Sequence, residues 1–263
     1  MRISGATVLI SGATGGLGHA LADAFGRRGA RLVLTARRAG PLRELAARSG
    51  ARAVVADLAD PADVERLAAE SGDVDLLVAN AALPGSGDLL DHSVEQLDRA
   101  LRVNLRAPLV LSRLLLPAML DAGRGHLAFI GSLSGKAAMS AAPLYGTTKF
   151  GLRGFALSLR QDLHGTGVGV SLIQPGLIGD SGMIVRTGAS LPRGMRTVTA
   201  GQVAAATVRA VERDTCETDV ASVEMRLATA LAGQFPALAE RFQRLLNTNP
   251  VTQHVIAAQR DLR

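Results

Sequence analysis

The chain has 263 residues, of which 48% are hydrophobic and 20% charged, so it is long and apolar enough to bury a sizeable core. Its net charge of +6 would suit a nucleic-acid partner. However, the arginines are scattered and no basic run with interleaved aromatics occurs, so nucleic-acid binding is not expected. The single cysteine, Cys216, cannot form an internal disulfide, which fits a reducing compartment.

The sequence lacks the usual signs of a membrane or exported protein. No apolar run approaches the ~18 residues that span a bilayer, because Arg113 and Pro117 interrupt the longest candidate. The start, MRISGATVLIS, does not have the plan of a secretory signal. We therefore predict a cytoplasmic protein.

Short β-rich apolar runs alternate with segments of helical periodicity. Strands are predicted at 7–11, 31–35, 51–57, 74–80, 125–132 and 167–176. Helices are predicted between them, at 17–29, 42–50, 61–70, 93–120 and 144–164. This alternation is typical of an α/β fold with a parallel sheet covered on both faces. We predict one domain, residues 1–263, built as a Rossmann-type doubly wound parallel sheet with helices on both faces.

In such a sheet, ligands bind beyond the carboxyl ends of the strands, so the residues directly after each strand are the candidates for function. The first strand is followed by SGATGGLG, in which Gly12, Gly16 and Gly18 form G-x-x-x-G-x-G. The first glycine permits a tight turn, and the others let the backbone approach a pyrophosphate at a helix N-terminus. The motif, placed between a strand and a helix, predicts a dinucleotide site.

The second strand is followed by Ala36, Arg37 and Arg38, where NAD-binding folds usually place an acidic residue. A carboxylate there would repel a 2′-phosphate, whereas arginine pairs with it through charge-assisted hydrogen bonds. The alternative is a solvated charge pair at a strand end. We predict that NADP(H) is preferred over NAD(H).

The next strands are also followed by polar groups. Asp57, followed by Leu58, either accepts a hydrogen bond from an adenine amino group or caps the next helix, for which Asp60 is the better candidate. Asn80 has small neighbours that let the backbone pass close to a ribose. After the fifth strand, Ser132 and Ser134 are competing candidates for a functional hydroxyl.

Tyr145 is the only tyrosine of the chain, and Lys149 is one of only two lysines, the other being Lys136. Residues four apart on a helix are neighbours on one face. An unperturbed tyrosine has a pKa of about 10, too high for efficient proton transfer at neutral pH. A nearby ammonium favours the phenolate, so we expect Lys149 to lower the pKa of Tyr145. The alternative is an aromatic residue beside a lysine on a helix surface.

Taken together, these motifs resemble the short-chain dehydrogenase/reductase superfamily. The resemblance runs from about residue 5 to 215 and rests on an ordered set: SGATGGLG, ARR, DL, NAA, RVNL, Ser132, YGTTK and QPG. It implies that Tyr145 is the general acid or base, that Lys149 lowers its pKa and binds the nicotinamide ribose, and that Ser132 binds the substrate oxygen. It also implies that Asn104 holds a water linking Lys149 to solvent.

The resemblance also extends the cofactor site. The implied cofactor-binding residues are Gly12, Thr14, Gly16, Leu17, Gly18, Arg37, Arg38, Asp57, Leu58, Asn80, Ala81, Tyr145, Lys149, Pro175, Gly176 and Ile178. No metal site is expected.

Two positions depart from the family pattern. Ser11 replaces the usual threonine before the first glycine but keeps the hydroxyl, so little consequence is expected. Asp180 stands where members often carry a threonine that bonds the nicotinamide carboxamide. Its carboxylate either accepts from the carboxamide or caps a following helix, and Ser181 is a candidate to supply the missing hydroxyl.

Two further segments have predicted roles. Residues 180–198 stand where the family has its substrate lid and would offer a mostly apolar wall, which favours a lipophilic carbonyl substrate. Residues 224–263 form a C-terminal helical extension, which Pro236 is expected to break into two helices. The extension packs on the core or on a second subunit, covers the substrate pocket or, less favoured, contacts a membrane surface.

The sequence predicts an enzyme that transfers a hydride between NADP(H) and a carbonyl or secondary alcohol of a small molecule. The alternative is a protein that binds NADP without turnover and acts as a sensor or scaffold. An epimerase or dehydratase would normally need a larger substrate domain than this length offers. A homodimer or homotetramer is expected, with subunits pairing through the helices at 93–120 and 144–164.

Overall fold

A computed structural model describes residues 1–181 and 196–245. Its strands form one seven-stranded sheet in the order β3-β2-β1-β4-β5-β6-β7, and every neighbouring pair is parallel. The strands are β1 (Thr7–Ser11), β2 (Arg31–Ala36), β3 (Arg52–Val55), β4 (Leu76–Ala79), β5 (Gly125–Ile130), β6 (Val168–Pro175) and β7 (Glu217–Val220). The strand order reverses between β1 and β4, so the predicted Rossmann-type fold is confirmed.

Helices connect the strands and cover both faces of the sheet. They are α1 (Gly16–Gly26), α2 (Ala39–Ser49), α3 (Pro61–Ser71), α4 (Val94–Leu101), α5 (Ala107–Asp121), α6 (Pro143–Asp162), α7 (Ala200–Arg213), α8 (Val223–Gln234) and α9 (Pro236–Leu245). Their starts show the expected capping chemistry. Asp60 accepts a hydrogen bond from Ala62 N at the start of α3, and Ser93 and Thr199 form capping boxes with Gln96 and Gln202.

The core lies in two layers, one on each face of the sheet. One layer contains Leu9, Leu77 and Phe129 with residues of α3, α5 and α6. The other contains Ile10 and Val78 with residues of α1, α2 and α7. Alternate residues of the central strands therefore enter opposite layers, which explains why these strands are apolar throughout their length.

The structure differs from the sequence prediction in three elements. Helix α7 and strand β7 were not predicted, although α7 packs against α1 and β7 extends the sheet beyond β6. The helix predicted at 93–120 is present but changes to a π-helical turn at Arg102–Arg106. Pro236 does separate two helices, α8 and α9, as expected.

The continuous helical stretch Val94–Asp121 is, by length and composition, apolar enough to cross a membrane, whereas no such run was predicted from the sequence. A core helix of a soluble protein can have the same length and composition. In the helical stretch Val94–Asp121, 44% of the most apolar part is buried within the fold. Residues such as Leu111, Leu115 and Met119 fill the core layer beside the sheet. Its apolar character therefore has an explanation in core packing.

Candidate active site

The glycine-rich turn after β1 is a close-packed backbone site. Gly12 has φ of 64°, and a Cβ there would lie 2.8 Å from Ala81 Cα. A Cβ on Gly18 would lie 2.3 Å from Gly12 O. Both contacts are too short for any side chain, so these two positions require glycine. Thr14, Gly16 and Leu17 lie half-buried between them, at the start of α1.

Side chains from two strands hold this turn in place. The Ser11 hydroxyl accepts hydrogen bonds from Asn80 N at 3.0 Å and Ala81 N at 3.1 Å. The Asn80 amide donates to Ser11 O at 2.9 Å and Gly12 O at 3.2 Å. Serine at position 11 therefore keeps a hydroxyl that joins β1 to the end of β4, and Asn80 supports the turn through its side chain.

Arg37 and Arg38 lie exposed at the carboxyl end of β2. Within 1–181 and 196–245, neither forms an ion pair with a carboxylate. Two guanidinium groups are thus available at the edge where the sheet presents its ligand-binding side.

Asp57 does not cap α3, since Asp60 does so, as the better of the two candidates. Instead, Asp57 Oδ1 accepts from Ala59 N at 3.0 Å and Oδ2 accepts from Arg99 at 2.7 Å. Burial acts to raise the pKa of Asp57, but these hydrogen bonds and the charges of Arg99 and Arg37 outweigh it and hold the pKa below its usual value. Leu58, beside it, is buried.

Sequence reasoning missed Arg99, which belongs to α4. It lies 42 residues from Asp57 along the chain, and no local motif marks it. Only the fold, which places Arg99 of α4 next to the residue that follows β3 by two positions, brings the two charges together.

Ser132, Tyr145 and Lys149 come together at the carboxyl end of β5. Ser132 follows the last residues of that strand, and α6 carries Tyr145 and Lys149 on one face. The Ser132 hydroxyl lies within hydrogen-bonding reach of the Tyr145 phenol. Lys149 Nζ is 5.6 Å from the centroid of the Tyr145 ring and donates to Ile130 O at 2.9 Å.

The pKa of Tyr145 does not behave as expected. Burial raises it above the usual value, and the Ser132 hydrogen bond opposes this only in part. Burial also lowers the pKa of Lys149 to about 8. The ammonium is bonded to the Ile130 carbonyl and faces the ring from 5.6 Å, rather than contacting the phenol oxygen. In the protein alone, therefore, burial dominates, and the pKa of Tyr145 is raised rather than lowered.

The structure separates the two candidate serines. The Ser134 hydroxyl donates to Met139 Sδ at 3.3 Å on an exposed segment, whereas Ser132 adjoins Tyr145. Ser134 N donates to Ser132 Oγ at 3.2 Å. Of the two, only Ser132 is placed to act with the tyrosine.

Asn104 is buried in the π-helical turn between α4 and α5. Its side chain binds the loop after β4, accepting from Leu83 N at 2.6 Å and donating to Leu83 O at 2.9 Å. In an α-helix its carbonyl would accept from residue 108, which is proline and has no N–H. The side chain is thus committed to the loop, and the backbone carbonyl has no ordinary α-helical partner.

The segment after β6 carries the remaining predicted residues. Pro175 ends the strand, Gly176 N donates to Val220 O at 2.9 Å, and Ile178 pairs with Val198 in a short parallel bridge. Asp180 Oδ1 accepts from Ala200 N at 2.9 Å, so the carboxylate binds the start of α7, as the capping alternative proposed. The lid residues 182–195 lie outside the described residues.

These residues fit a dinucleotide with a 2′-phosphate. The turn at Gly12 and Gly18 leaves no room for side chains, and the two exposed arginines stand at the adjacent strand end. Ser181 Oγ is buried without a hydrogen-bond partner among the described residues, at the position expected to face a carboxamide. By contrast, the described part of the chain holds no group of three or more His, Cys, Asp or Glu placed for a metal ion.

Comparison with known proteins agrees with this geometry. The sequence model of the family described as short chain dehydrogenase matches residues 6–190. The ketoacyl reductase HetN of Nostoc sp. is 33% identical over 82% of this chain and 78% of its own length. The NADP-dependent 3-hydroxy acid dehydrogenase YdfG of Escherichia coli K12 is 36% identical over 65% of this chain and 72% of its own.

Solved structures give the same result. A short-chain dehydrogenase from Sphingobium yanoikuyae in complex with NADPH has a TM-score of 0.76 and 28% identity, covering 92% of this chain and 95% of its own. A closed form of serine dehydrogenase complexed with NADP+ has a TM-score of 0.74 and 29% identity, over 83% of this chain and 95% of its own. The match over residues 6–190 and the relatives above 30% identity confirm the resemblance, and this chain belongs to the short-chain dehydrogenase/reductase family of oxidoreductases.

Proposed function

We propose that the protein is an NADP(H)-dependent oxidoreductase that interconverts a carbonyl compound and its secondary alcohol, with Tyr145 as general acid in reduction and general base in oxidation. The observation that carries this proposal is the meeting of Ser132, Tyr145 and Lys149 at the carboxyl edge of the sheet, the edge that also carries the glycine turn. Bound NADPH supplies the hydride for the carbonyl carbon.

The protein's own residues supply alignment and the proton. Ser132 donates a hydrogen bond to the substrate carbonyl oxygen, and Tyr145 donates its proton to that oxygen as negative charge develops. A raised pKa keeps Tyr145 protonated at neutral pH, as its acid role in reduction requires. Lys149, with a pKa of about 8, is largely charged at pH 7, and its ammonium stabilises the phenolate that remains and binds the ribose hydroxyls.

Asn104 has a supporting role in this proposal. Its side chain fixes the loop after β4, and its backbone carbonyl, facing a proline four residues on, accepts a water that connects Lys149 to solvent. Tyr145 would then be reprotonated along this route after each turnover.

The preference for NADP(H) rests on Arg37 and Arg38, together with two relatives whose names carry NADP. One charge-assisted hydrogen bond to the 2′-phosphate contributes ~1.5–3 kcal/mol, which corresponds to a ten- to hundredfold tighter binding of NADPH than NADH. The contact is exposed, so the preference shrinks as salt rises. Equal dissociation constants for the two cofactors at low salt would contradict it.

The substrate is proposed to be a small, mostly lipophilic 3-oxo or 3-hydroxy acyl compound. The names of the relatives, ketoacyl reductase and 3-hydroxy acid dehydrogenase, support this class. Exposed apolar side chains that follow the ends of β4 and β5 also support it: Met139 lies on the segment after Ser132, and Leu89 and Leu90 lie in the 3-10 turn Leu89–Asp91. We further propose that the enzyme is a soluble, cytoplasmic homodimer or homotetramer.

The test is a substrate panel followed by the loss of NADPH absorbance. Ethyl acetoacetate and an aryl ketone are assayed for reduction, and 3-hydroxybutyrate and L-serine for oxidation with NADP+. Tyr145→Phe should lower kcat by ~10²–10⁴-fold and change NADPH affinity far less, because the main role of the phenol is to contribute a proton. Full turnover in the variant would exclude the assigned acid. Tight NADPH binding without turnover of any panel member would instead favour the sensor or scaffold function.

A further inference from the structure

The loop that carries Ser132 is bound to the sheet by a side chain to which neither the family resemblance nor the proposed chemistry gives a role. Ser132 N donates to Gln174 Oε1 at 2.7 Å. Gln174 belongs to β6, 42 residues further along the chain, and its side chain is fully buried. A Cβ at Gly131 would lie 2.3 Å from Gln174 Oε1, so the backbone before Ser132 passes directly over the carboxamide.

The carboxamide of Gln174 is held in one orientation from its other end. Its Nε2 donates to Glu217 Oε1 at 3.1 Å. An ionised carboxylate only accepts hydrogen bonds, so the amino end of Gln174 must face Glu217 and the oxygen must face Ser132 N. Because the whole group is buried, loss of either partner leaves an unsatisfied polar atom.

Glu217 is itself fixed by two cations. Arg153 Nε donates to Glu217 Oε1 at 2.8 Å, and Lys136 Nζ lies 3.1 Å from Glu217 Oε2. Lys136 also donates to both oxygens of Asp219, at 2.7 and 2.9 Å. Lys136 follows the 3-10 turn Leu133–Gly135, so the segment that begins at Ser132 is bound to β6 at one end and to β7 at the other.

These contacts fix the position of the Ser132 hydroxyl oxygen. Its oxygen accepts from Ser134 N at 3.2 Å, an arrangement that requires the turn Leu133–Gly135 to keep its shape. With one lone pair of the oxygen used by Ser134 N, the hydroxyl remains free to donate to Tyr145 or to a substrate oxygen beside it.

We propose that Gln174 and Glu217 are positioning residues that, together with Lys136, hold Ser132 in the geometry needed for reduction. This inference rests on the proposed function of Ser132. It explains why Lys136, the other of only two lysines, stands four residues after the serine, and it gives the short edge strand β7 a role in the site.

The experiment is a double-mutant cycle between Gln174→Met and Ser132→Ala, using the member of the substrate panel with the highest turnover. Methionine keeps the volume but cannot accept from Ser132 N. Gln174→Met should lower kcat by ~10–100-fold, the usual cost of misplacing a catalytic group by about 1 Å, with little change in KM or NADPH affinity. In the Ser132→Ala background, Gln174→Met should lower kcat by less than about twofold, because the hydroxyl that Gln174 positions is already absent.

A reciprocal exchange tests the orientation. Gln174→Glu alone places two carboxylates side by side and should lower kcat. Combined with Glu217→Gln, the net charge is restored. The new carboxylate accepts from Ser132 N and from the new amide, whose oxygen still faces Lys136 and Arg153 Nη2. The amide nitrogen, however, replaces the oxygen that accepted from Arg153 Nε, so turnover should recover in part in the double variant. Ser171→Ala, a buried polar change on the same strand, is the matched control and should leave kcat unchanged.

These experiments distinguish failure of the positioning role of Gln174 from failure of the proposed function. Equal effects of Gln174→Met in both serine backgrounds, or no recovery in the exchanged pair, would overturn the positioning role while leaving the Tyr145 assignment intact. If wild type turns over no panel member, hydrogen–deuterium exchange of residues 131–136 decides the matter. Faster exchange in Gln174→Met than in Ser171→Ala supports the proposal, and equal exchange overturns it.

Discussion

We predict that His126 makes the fold sensitive to mild acid. Its ring is 1% exposed at the start of β5, with Nε2 2.9 Å from Ser171 Oγ and Nδ1 4.0 Å from Asp214 Oδ1. Burial lowers the pKa of His126 from 6.5 to about 4, and the attraction of Asp214 offsets this only partly. The folded protein therefore keeps the imidazole neutral at pH values where the unfolded chain protonates it.

The sign and size of the effect follow from this difference. Between pH 6.5 and about 4 the unfolded state binds one proton that the folded state does not, so stability falls as the pH falls through this window. The difference between the two pKa values lowers the free energy of unfolding by about 3 kcal/mol once the pH is below both of them. At pH 5 the loss is about 2 kcal/mol. Asp57 and Asp214, whose pKa values are lowered, lose their contributions only as the pH falls below the usual aspartate value.

The assay is urea unfolding followed by circular dichroism at pH 7.5 and pH 5, on wild type and His126→Gln. Glutamine does not titrate and still offers a hydrogen bond to Ser171. Wild type should lose about 2 kcal/mol more than the variant between the two pH values, and the remaining histidines cancel in the comparison. An equal loss in both proteins would show that His126 is not the acid-sensitive group.

Further predictions concern the site and the assembly. Tyr145 is the only tyrosine and the chain has no tryptophan, so ultraviolet absorbance titrates this phenol alone; its pKa should lie above 10 in the free protein and fall when NADP+ is bound. Gly18→Ala should abolish NADPH binding measured by calorimetry, since a Cβ would lie 2.3 Å from Gly12 O. Arg99→Leu should weaken NADPH binding more than NADH binding, because the carboxylate of Asp57, without its ion pair to Arg99, then repels the 2′-phosphate. Phe150, 42% exposed on α6, should lie in the subunit interface, and Phe150→Glu should shift light scattering toward a monomer.

The structure changes which residues are expected at the contact between subunits. Leu152 lies on the helix predicted at 144–164 to pair the subunits, but it is 2% exposed and belongs to the core of its own chain. Leu105 and Leu159 are also packed partly against that core. Helical periodicity identifies an apolar face but does not show whether the sheet or another subunit covers it. Phe150 and Leu114, which the fold leaves exposed, are the better candidates for contact between subunits.

The parts of the fold that the sequence predicted are those with strong local patterns. Six strands were predicted because each is an apolar run bounded by glycine or polar residues, and in the structure β1 to β6 occupy those runs. Strand β7, with the sequence ETDV, is short, half-buried at the sheet edge and half charged, so no apolar run marks it. The residues after the strands were identified for the same reason, because turn and cap chemistry is local.

The supporting contacts were not predictable because they join distant parts of the chain. Gln174 and Ser132 are 42 residues apart, and Gln174 and Glu217 are 43 apart. Neither spacing is a known motif. Nothing in the QPG segment indicates a role for Gln174 until the structure shows its hydrogen bond with Ser132 N. Such pairs depend on which strands become neighbours, and that is a property of the sheet order rather than of any single segment.

The pair Tyr145 and Lys149 shows how far a spacing argument reaches. The i,i+4 separation correctly placed both residues on one face of α6, but it did not determine where the ammonium points. The ammonium binds Ile130 O, and burial then raises the pKa of the tyrosine and lowers that of the lysine. Both shifts favour the uncharged forms, so the free protein holds a protonated phenol beside a lysine that is still mostly charged at pH 7. That state can donate a proton but is poorly suited to accept one. If Tyr145 acts as proposed, oxidation of an alcohol would depend on a lower pKa of the phenol when NADP+ is bound, whereas reduction would start from the protonation state that the fold already provides.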